Sequence, residues 1–387
     1  MLPIDHEKAN LIGRIWLPNE DPSLSGPAIV TIRDSYVYDL THYYPTCSQL
    51  LASDDPLSIV REGASKSAIC SVEELVENSF WSCSSIEKVH LLSPIDLQCI
   101  KAAGVTFTNS LMERIIEERA GGDAEKTRAI RAELLESLDV DLSSIKPGSA
   151  EAKRVEQQLR SQGLWSQYLE VGIGEYAEIF TKSPVLSSVG YGQLIGVHPE
   201  SVWNNPEAEV VLVMNTLAEP VGAMLGNDVN LRDFEGRSAL LLARGKDNNA
   251  SCALGPFIRL FDDTFTLDTV RQLSIRLTVE GEDGYSLCGE STMNGISRDI
   301  LDLVNQTANE THQYPDGFVL MTGTQFAPTQ DRGGAGKGFT HHLNDVVTIS
   351  SKELGTLVNC VTTSDKAPPW SFGIQALISS LKNKGLL

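Results

Sequence analysis

The sequence predicts a β-rich α+β fold, and three observations carry that prediction. The runs 207–214 and 221–229 are dominated by β-branched and apolar residues, the composition of strands buried in a sheet. Shorter β-like runs separated by turn residues recur through residues 1–90. Helical periodicity, by contrast, is concentrated in one highly charged stretch, 109–164.

In chain order, residues 1–90 read as a small N-terminal α+β domain, with strand-like runs at 11–17 and 28–40 and helical patches at 46–52 and 72–78. His42, Tyr43 and Tyr44 lie within it, and such an isolated His-aromatic cluster reads as packing rather than as a ligand set. Pro94 and the strand-like run 97–105 open a larger domain over 91–387. Leu111, Ile115, Ile130, Leu134 and Leu138 then recur at helical spacing. Lys146-Pro147-Gly148 breaks the pattern, and Ser149 caps a further helix through Val155 and Leu159. An inserted, charged helical segment beside a site loop has two readings, a lid or a solvated helical excursion.

A chain of 387 residues is long enough to bury a substantial core. Its net charge of −20 argues against nucleic acid and anionic membrane as partners. The opening residues 1–8 are too polar for a signal peptide, and no apolar run approaches the ~18 residues of a membrane span, so a cytoplasmic protein is expected. Seven scattered cysteines with no C-x-x-C pair read as reduced core thiols.

The chemistry concentrates between Trp203 and Gly255. Glu207 and Glu209 flank one residue of a predicted strand, so both carboxylates point to one face. The run 221–229 follows a turn-like stretch and reaches Asp228, which antiparallel pairing returns to the glutamates. Three converging carboxylates require a cation, and oxygen-only ligation selects Mg²⁺, with Mn²⁺ or Ca²⁺ as substitutes, over zinc. The bland reading of an E-x-E pair is a solvated edge strand. The apolar residues that follow, Val210 to Met214, argue against it. Lys246 is read as the acid/base partner of this site, or else as a plain ion-pair lysine.

These motifs resemble the fumarylacetoacetate hydrolase family. Its E-x-E, N-D-V-x-x-R-D and K-x-x-x-x-x-x-x-G-P patterns are matched by Glu207/Glu209, by Asn227 to Asp233, and by Lys246 with Gly255-Pro256. Thr322-Gly323-Thr324 stands where the family has a T-G-T turn, and Asn344 to Asn359 resembles its closing strands. The resemblance implies a mostly β catalytic domain, a β-roll around the metal, and a homodimer. Thr324 is then expected to meet the substrate carboxylate, with Thr106 beside it and Asn248 and Asn249 at the hydroxyls. Arg232 is assigned to the same binding region and more readily braces the Asp228 loop. A lysine base needs a lowered pKa, which burial and a metal ion would supply to Lys246.

One departure from the family decides between activities. Hydrolytic members resemble G-x-N-Y-x-x-H-x-x-E where this chain has Phe107 for the Tyr, Ser110 for the His, and only Glu113 retained as a catalytic candidate. His198, His312, His341 and His342 lie in Pro-, Tyr- or turn-rich surroundings and read as non-catalytic. Without the water-activating His, enolisation of a 2-oxo acid followed by loss of a β-hydroxyl fits better than hydrolysis. The resemblance accordingly implies Mg²⁺-dependent dehydration of a 2-keto-3-deoxy-pentonate to 2,5-dioxopentanoate. The alternatives are hydrolysis of an acylpyruvate-like diketone and a catalytically silent binding relative. Gly333 to Gly338 lacks phosphate-loop spacing, because Gly338 follows Lys337 where Ser or Thr is required. Removing one charge, as in Glu207→Gln or Asp228→Asn, is expected to relieve repulsion and leave the apo fold intact.

Overall fold

A computed structural model of the chain describes residues 1–63, 67–121, 123, 126–127, 129–130, 145–326, 328–334 and 338–387. Its largest element is an eleven-stranded sheet. From one edge the strands run Cys70–Ser71, Tyr36–Asp39, Gly26–Arg33, Leu11–Leu17, Cys252–Leu260, Pro220–Asp228, Ala208–Met214, Phe318–Met321, Cys99–Gly104 and Glu178–Ser183. His90–Leu92 pairs with Leu11–Leu17 off that path. A second, five-stranded sheet orders Ser286–Thr292, Ser274–Glu280, Val346–Ser351, Gly355–Thr363 and Leu194–Val197. Asn204–Asn205 and Asn230–Leu231 form a short two-stranded ladder. Both larger sheets mix antiparallel and parallel neighbours, with Phe318–Met321 parallel to Cys99–Gly104 and Gly355–Thr363 parallel to Leu194–Val197.

The apolar runs are central because both of their faces are covered. Along Ala208–Met214, Val210, Leu212 and Met214 enter one core cluster while Val211 and Val213 enter another on the opposite side. Ala223 and Leu225 likewise separate from Met224 on the next strand. A strand with two buried faces has no polar alternation, which is why the sequence pattern there is continuous rather than period two. Gly226 sits opposite Glu209 in this ladder, and a Cβ there would lie 2.6 Å from Val211 and 2.8 Å from Met321.

No break in the sheet marks the boundary expected near residue 90. Leu11 and Ile12 pair with Arg259 and Ile258, so the N-terminal strands extend the sheet of the later part of the chain. The charged stretch 109–164 supplies helices Thr108–Ala120 and Ala150–Ser161, with Ser149 capping the second by accepting from the Ala152 amide, and helix Gln167–Ile173 follows just beyond it. They share an apolar cluster that includes Leu111, Ile115, Leu159 and Leu169. The predicted turns at Leu134 and Leu138 lie outside the described residues, as do 335–337 of the glycine-rich run and the side chain of Ser110. All seven cysteines are unpaired. Among the described residues no helix is long and apolar enough to cross a membrane.

Gly226→Ala is expected to cost about 2 kcal/mol, because Val211 and Met321 must shift to admit the methyl. Urea unfolding measures it; an unchanged midpoint would show that this ladder has slack.

Candidate metal centre and active-site cavity

Glu209 lies on Ala208–Met214 and Glu207 immediately precedes it, while Asp228 ends the antiparallel neighbour. The Asp228 amide donates to the Glu207 carbonyl at 3.0 Å, which sets the two side chains abreast. One oxygen from each of Glu207, Glu209 and Asp228 falls within 4.8 Å of the others, and all three residues are no more than 2% exposed. The i, i+2 spacing and the hairpin therefore do converge on one point.

Lys246 closes the helix Leu242–Lys246 with its Nζ 2.5 Å from Glu207 Oε2 and 2.9 Å from Asp228 Oδ2. Four further charged residues surround the cluster. Lys182, fully buried on Glu178–Ser183, reaches Asp228 Oδ1 at 2.8 Å and donates to the carbonyls of Val229 and Lys246. Arg114, on Thr108–Ala120, bridges Glu207 and Glu235. Glu178 joins Arg114, Glu207, Asp228, Glu235, Lys246 and Thr324 in the wall of one cavity of about 240 Å³.

The electrostatics follow from this packing. Burial opposes the charge of Glu207, but Arg114 and Lys246 overcome it and hold the carboxyl at about 2. Glu209 goes the other way, pushed well up by burial and by the charges of Asp228 and Glu207. Burial and Glu235 raise Glu178 to about 7, with Arg114 and Lys246 opposing. Five carboxyls (Glu178, Glu207, Glu209, Asp228, Glu235) thus face three cations (Arg114, Lys182, Lys246). The shortfall is two positive charges when all are ionised, and oxygen donors alone surround it. That donor set fits a hard divalent ion.

The expectation of a lowered Lys246 pKa is corrected. Burial does push it down, but Asp228, Glu207 and Glu235 outweigh burial and raise it, so the side chain is an ammonium ion here. Glu113 is half-buried and does not line the cavity; its neighbour Arg114 does, since adjacent helical residues point about 100° apart. Thr324 lines the cavity, and its hydroxyl lies 3.3 Å from Glu209 while the Gly323 amide donates to the same carboxylate at 2.8 Å. Thr106 lies outside the lining and spends its hydroxyl on the Thr322 carbonyl, bracing that turn at 2.7 Å. Arg232 is also a brace: its Nε donates to Asn205 and its guanidinium lies over Trp203. Asn248 and Asn249 line a different groove, with Ser364 and Trp370, so their expected contact with substrate hydroxyls in this cavity is not what the structure places. None of the four histidines lines the cavity; His341 pairs with Asp345 and His342 with Asp283.

Sequence reasoning passed over Arg114, Glu178, Lys182 and Glu235. A signal existed for two of them. Glu178, Phe180 and Lys182 alternate along the strand Glu178–Ser183, which puts two charges and an aromatic on a single face. Arg114 and Glu235 offered none beyond ordinary charged residues in helical context.

The ion pairs also revise the expected effect of charge removal. Glu207→Gln leaves Arg114 and Lys246 short of a buried partner and should lower apo stability by about 3 kcal/mol, whereas Glu209→Gln relieves repulsion and should not. Thermal unfolding in chelator distinguishes them, and equal losses would contradict this charge map.

The Fumarylacetoacetate (FAA) hydrolase C-terminal family description matches residues 179–362. The 2-dehydro-3-deoxy-D-arabinonate dehydratase of Saccharolobus solfataricus is 30% identical over 184 residues, 48% of this chain and 58% of that protein. The probable 2-keto-3-deoxyxylonate dehydratase of Haloferax volcanii is 29% identical over 332 residues, covering 86% and 94%. Among solved structures, a 2-keto-3-deoxy-D-arabinonate dehydratase complexed with magnesium and 2,5-dioxopentanoate superposes with a TM-score of 0.59 at 20% identity, covering 91% of this chain and 99% of the other. Residues 179–362, just under half of the chain, are therefore recognised as similar to the fumarylacetoacetate hydrolase C-terminal domain.

Proposed function

We propose that the protein is a hydro-lyase that dehydrates a 2-keto-3-deoxy-pentonate to 2,5-dioxopentanoate with Mg²⁺ or Mn²⁺. The observation that carries this reading is one cavity lined by Glu207, Asp228, Lys246 and Glu178, with a Glu209 oxygen within 4.8 Å of the other two ligand carboxylates and no histidine on its wall among the described residues. Both curated relatives, named as dehydratases of sugar-acid derivatives, support it. A cytoplasmic homodimer is part of the proposal.

Glu207, Glu209 and Asp228 would hold the metal ion, which when bound supplies Lewis acidity to the carboxylate and keto oxygens of a 2-oxo acid. Thr324 orients the carboxylate from the Gly323-Thr324 turn. Lys246, kept as an ammonium ion by its carboxylate neighbours, steadies the charge that develops on the keto oxygen. Glu178, with a pKa of about 7, takes the C3 proton as carboxylate and returns it to the departing C4 hydroxyl as acid, releasing water. Rearrangement of the resulting allylic alcohol gives the aldehyde. Lys182 and Arg114 touch no reacting atom in this scheme; they fix the carboxylates. The carbon skeleton stays intact, so no activated water is needed, in keeping with Phe107 and Ser110 at the hydrolase positions.

Chelator-treated enzyme should be inactive on 2-keto-3-deoxy-pentonate and regain activity with Mg²⁺ or Mn²⁺. Full activity without metal would overturn the proposal, and cleavage of acylpyruvates in its place would redirect it to hydrolysis.

Because Glu178 must begin ionised, turnover should rise with pH through about 7. Glu178→Gln should slow exchange of the C3 protons with deuterated solvent at least ~100-fold. Exchange near the wild-type rate in that variant would assign the proton transfer to another group.

A further inference from the structure

We propose that helix Gln167–Ile173, together with the 238–242 segment, is a fixed wall that sets the length of sugar acid the cavity accepts; this rests on the dehydratase reading. The carboxylates at the floor are almost fully buried, whereas Gln167 and Ala239 are exposed, so these two mark the mouth. A substrate held by its 2-oxo acid head at the floor points its tail towards that mouth. The rest of the lining includes Tyr168 and Val171 from the helix and Ser238 and Leu242 from the segment, beside Val105 and Phe180.

The chemistry of this wall fits a short, neutral, hydroxylated tail. Gln167 and Ser238 offer an amide and a hydroxyl, while Tyr168, Val171 and Leu242 add aromatic and apolar lining. Among the described residues the cavity's cations, Arg114 and Lys246, are both engaged with floor carboxylates, so the wall presents none to a second carboxylate. The volume of about 240 Å³ lies below the roughly 300–1,000 Å³ of pockets for drug-sized ligands.

The wall is held at both ends. Ser166 caps the helix by accepting from the Leu169 amide at 3.2 Å. At the other end buried Arg298 donates to the carbonyl of Val171 in the last turn at 3.1 Å, and to those of the C-cap Gly174 at 2.6 Å and of Glu175 just beyond it at 3.3 Å. Near that same end, Gly172 lets Leu111 of the neighbouring helix pack close: a Cβ there would sit 3.0 Å from both Leu111 methyls. A helix so anchored cannot retreat cheaply from a longer ligand. One extra carbon against a closed wall is worth about tenfold or more in kcat/KM.

The test compares five- and six-carbon 2-keto-3-deoxy acids on the Mg²⁺-loaded wild type, Val171→Ala and Leu242→Ala, with thermal unfolding to confirm that each variant folds. The wild type should favour the five-carbon acid at least tenfold in kcat/KM, and each variant should shrink that preference about tenfold. A wild type that dehydrates both acids equally, or folded variants that both keep the wild-type ratio, would overturn the wall while leaving the dehydratase reading in place. A wild type that dehydrates neither acid would overturn the reading and the wall with it.

Discussion

Mutual repulsion among buried carboxylates is the constraint around which this molecule is arranged. Two like charges 4 Å apart repel by about 4 kcal/mol even at an effective dielectric constant near 20, and Glu207, Glu209 and Asp228 bring three together out of water. Arg114, Lys182 and Lys246 offset part of this, each through direct pairing with Glu207 or Asp228. None pairs with Glu209 among the described contacts, whose neighbours are the Gly323 amide and the Thr324 hydroxyl, and burial with the charges of Asp228 and Glu207 pushes that carboxyl well above its ordinary range. With all five carboxyls ionised the arrangement leaves two negative charges over, which a divalent cation at the triad would offset.

The fold supplies what that arrangement needs. Central strands with two covered faces hold the backbone of Glu209 and Asp228 rigidly, and Gly226 keeps the ladder close where the strands must approach. Lys182 spends its ammonium group on Asp228 and on the carbonyls of Val229 and Lys246, so the strand Glu178–Ser183 ties the triad to the end of the lysine's helix. Arg114 does the same for the charged insertion, which thereby belongs to the site as well as to the surface.

The metal cluster was legible because its logic is local. Alternation along a strand and one antiparallel return are enough to bring Glu207, Glu209 and Asp228 together, and the strand runs 11–17 and 208–214 were equally plain from composition. What the sequence hid depends on long-range approach. Arg114 and Glu235 reach the cluster from helices whose placement no periodicity specifies, and Arg114 lines the cavity where the neighbouring Glu113, singled out from the motif, does not. Asn248 and Asn249 were near Lys246 in sequence, yet the chain turns after Lys246 and carries them to the opposite groove. The raised pKa of Lys246 was hidden for the same reason: burial was foreseeable, the number of carboxylates around it was not.

Direct metal binding tests the charge account most squarely. Titration of chelator-stripped protein with Mn²⁺, followed by the loss of the free-ion paramagnetic resonance signal, should show one ion bound per chain in the wild type and none in folded Glu209→Gln. Equal binding by the two proteins, or no binding by the wild type, would contradict the claim that a divalent cation completes this cluster.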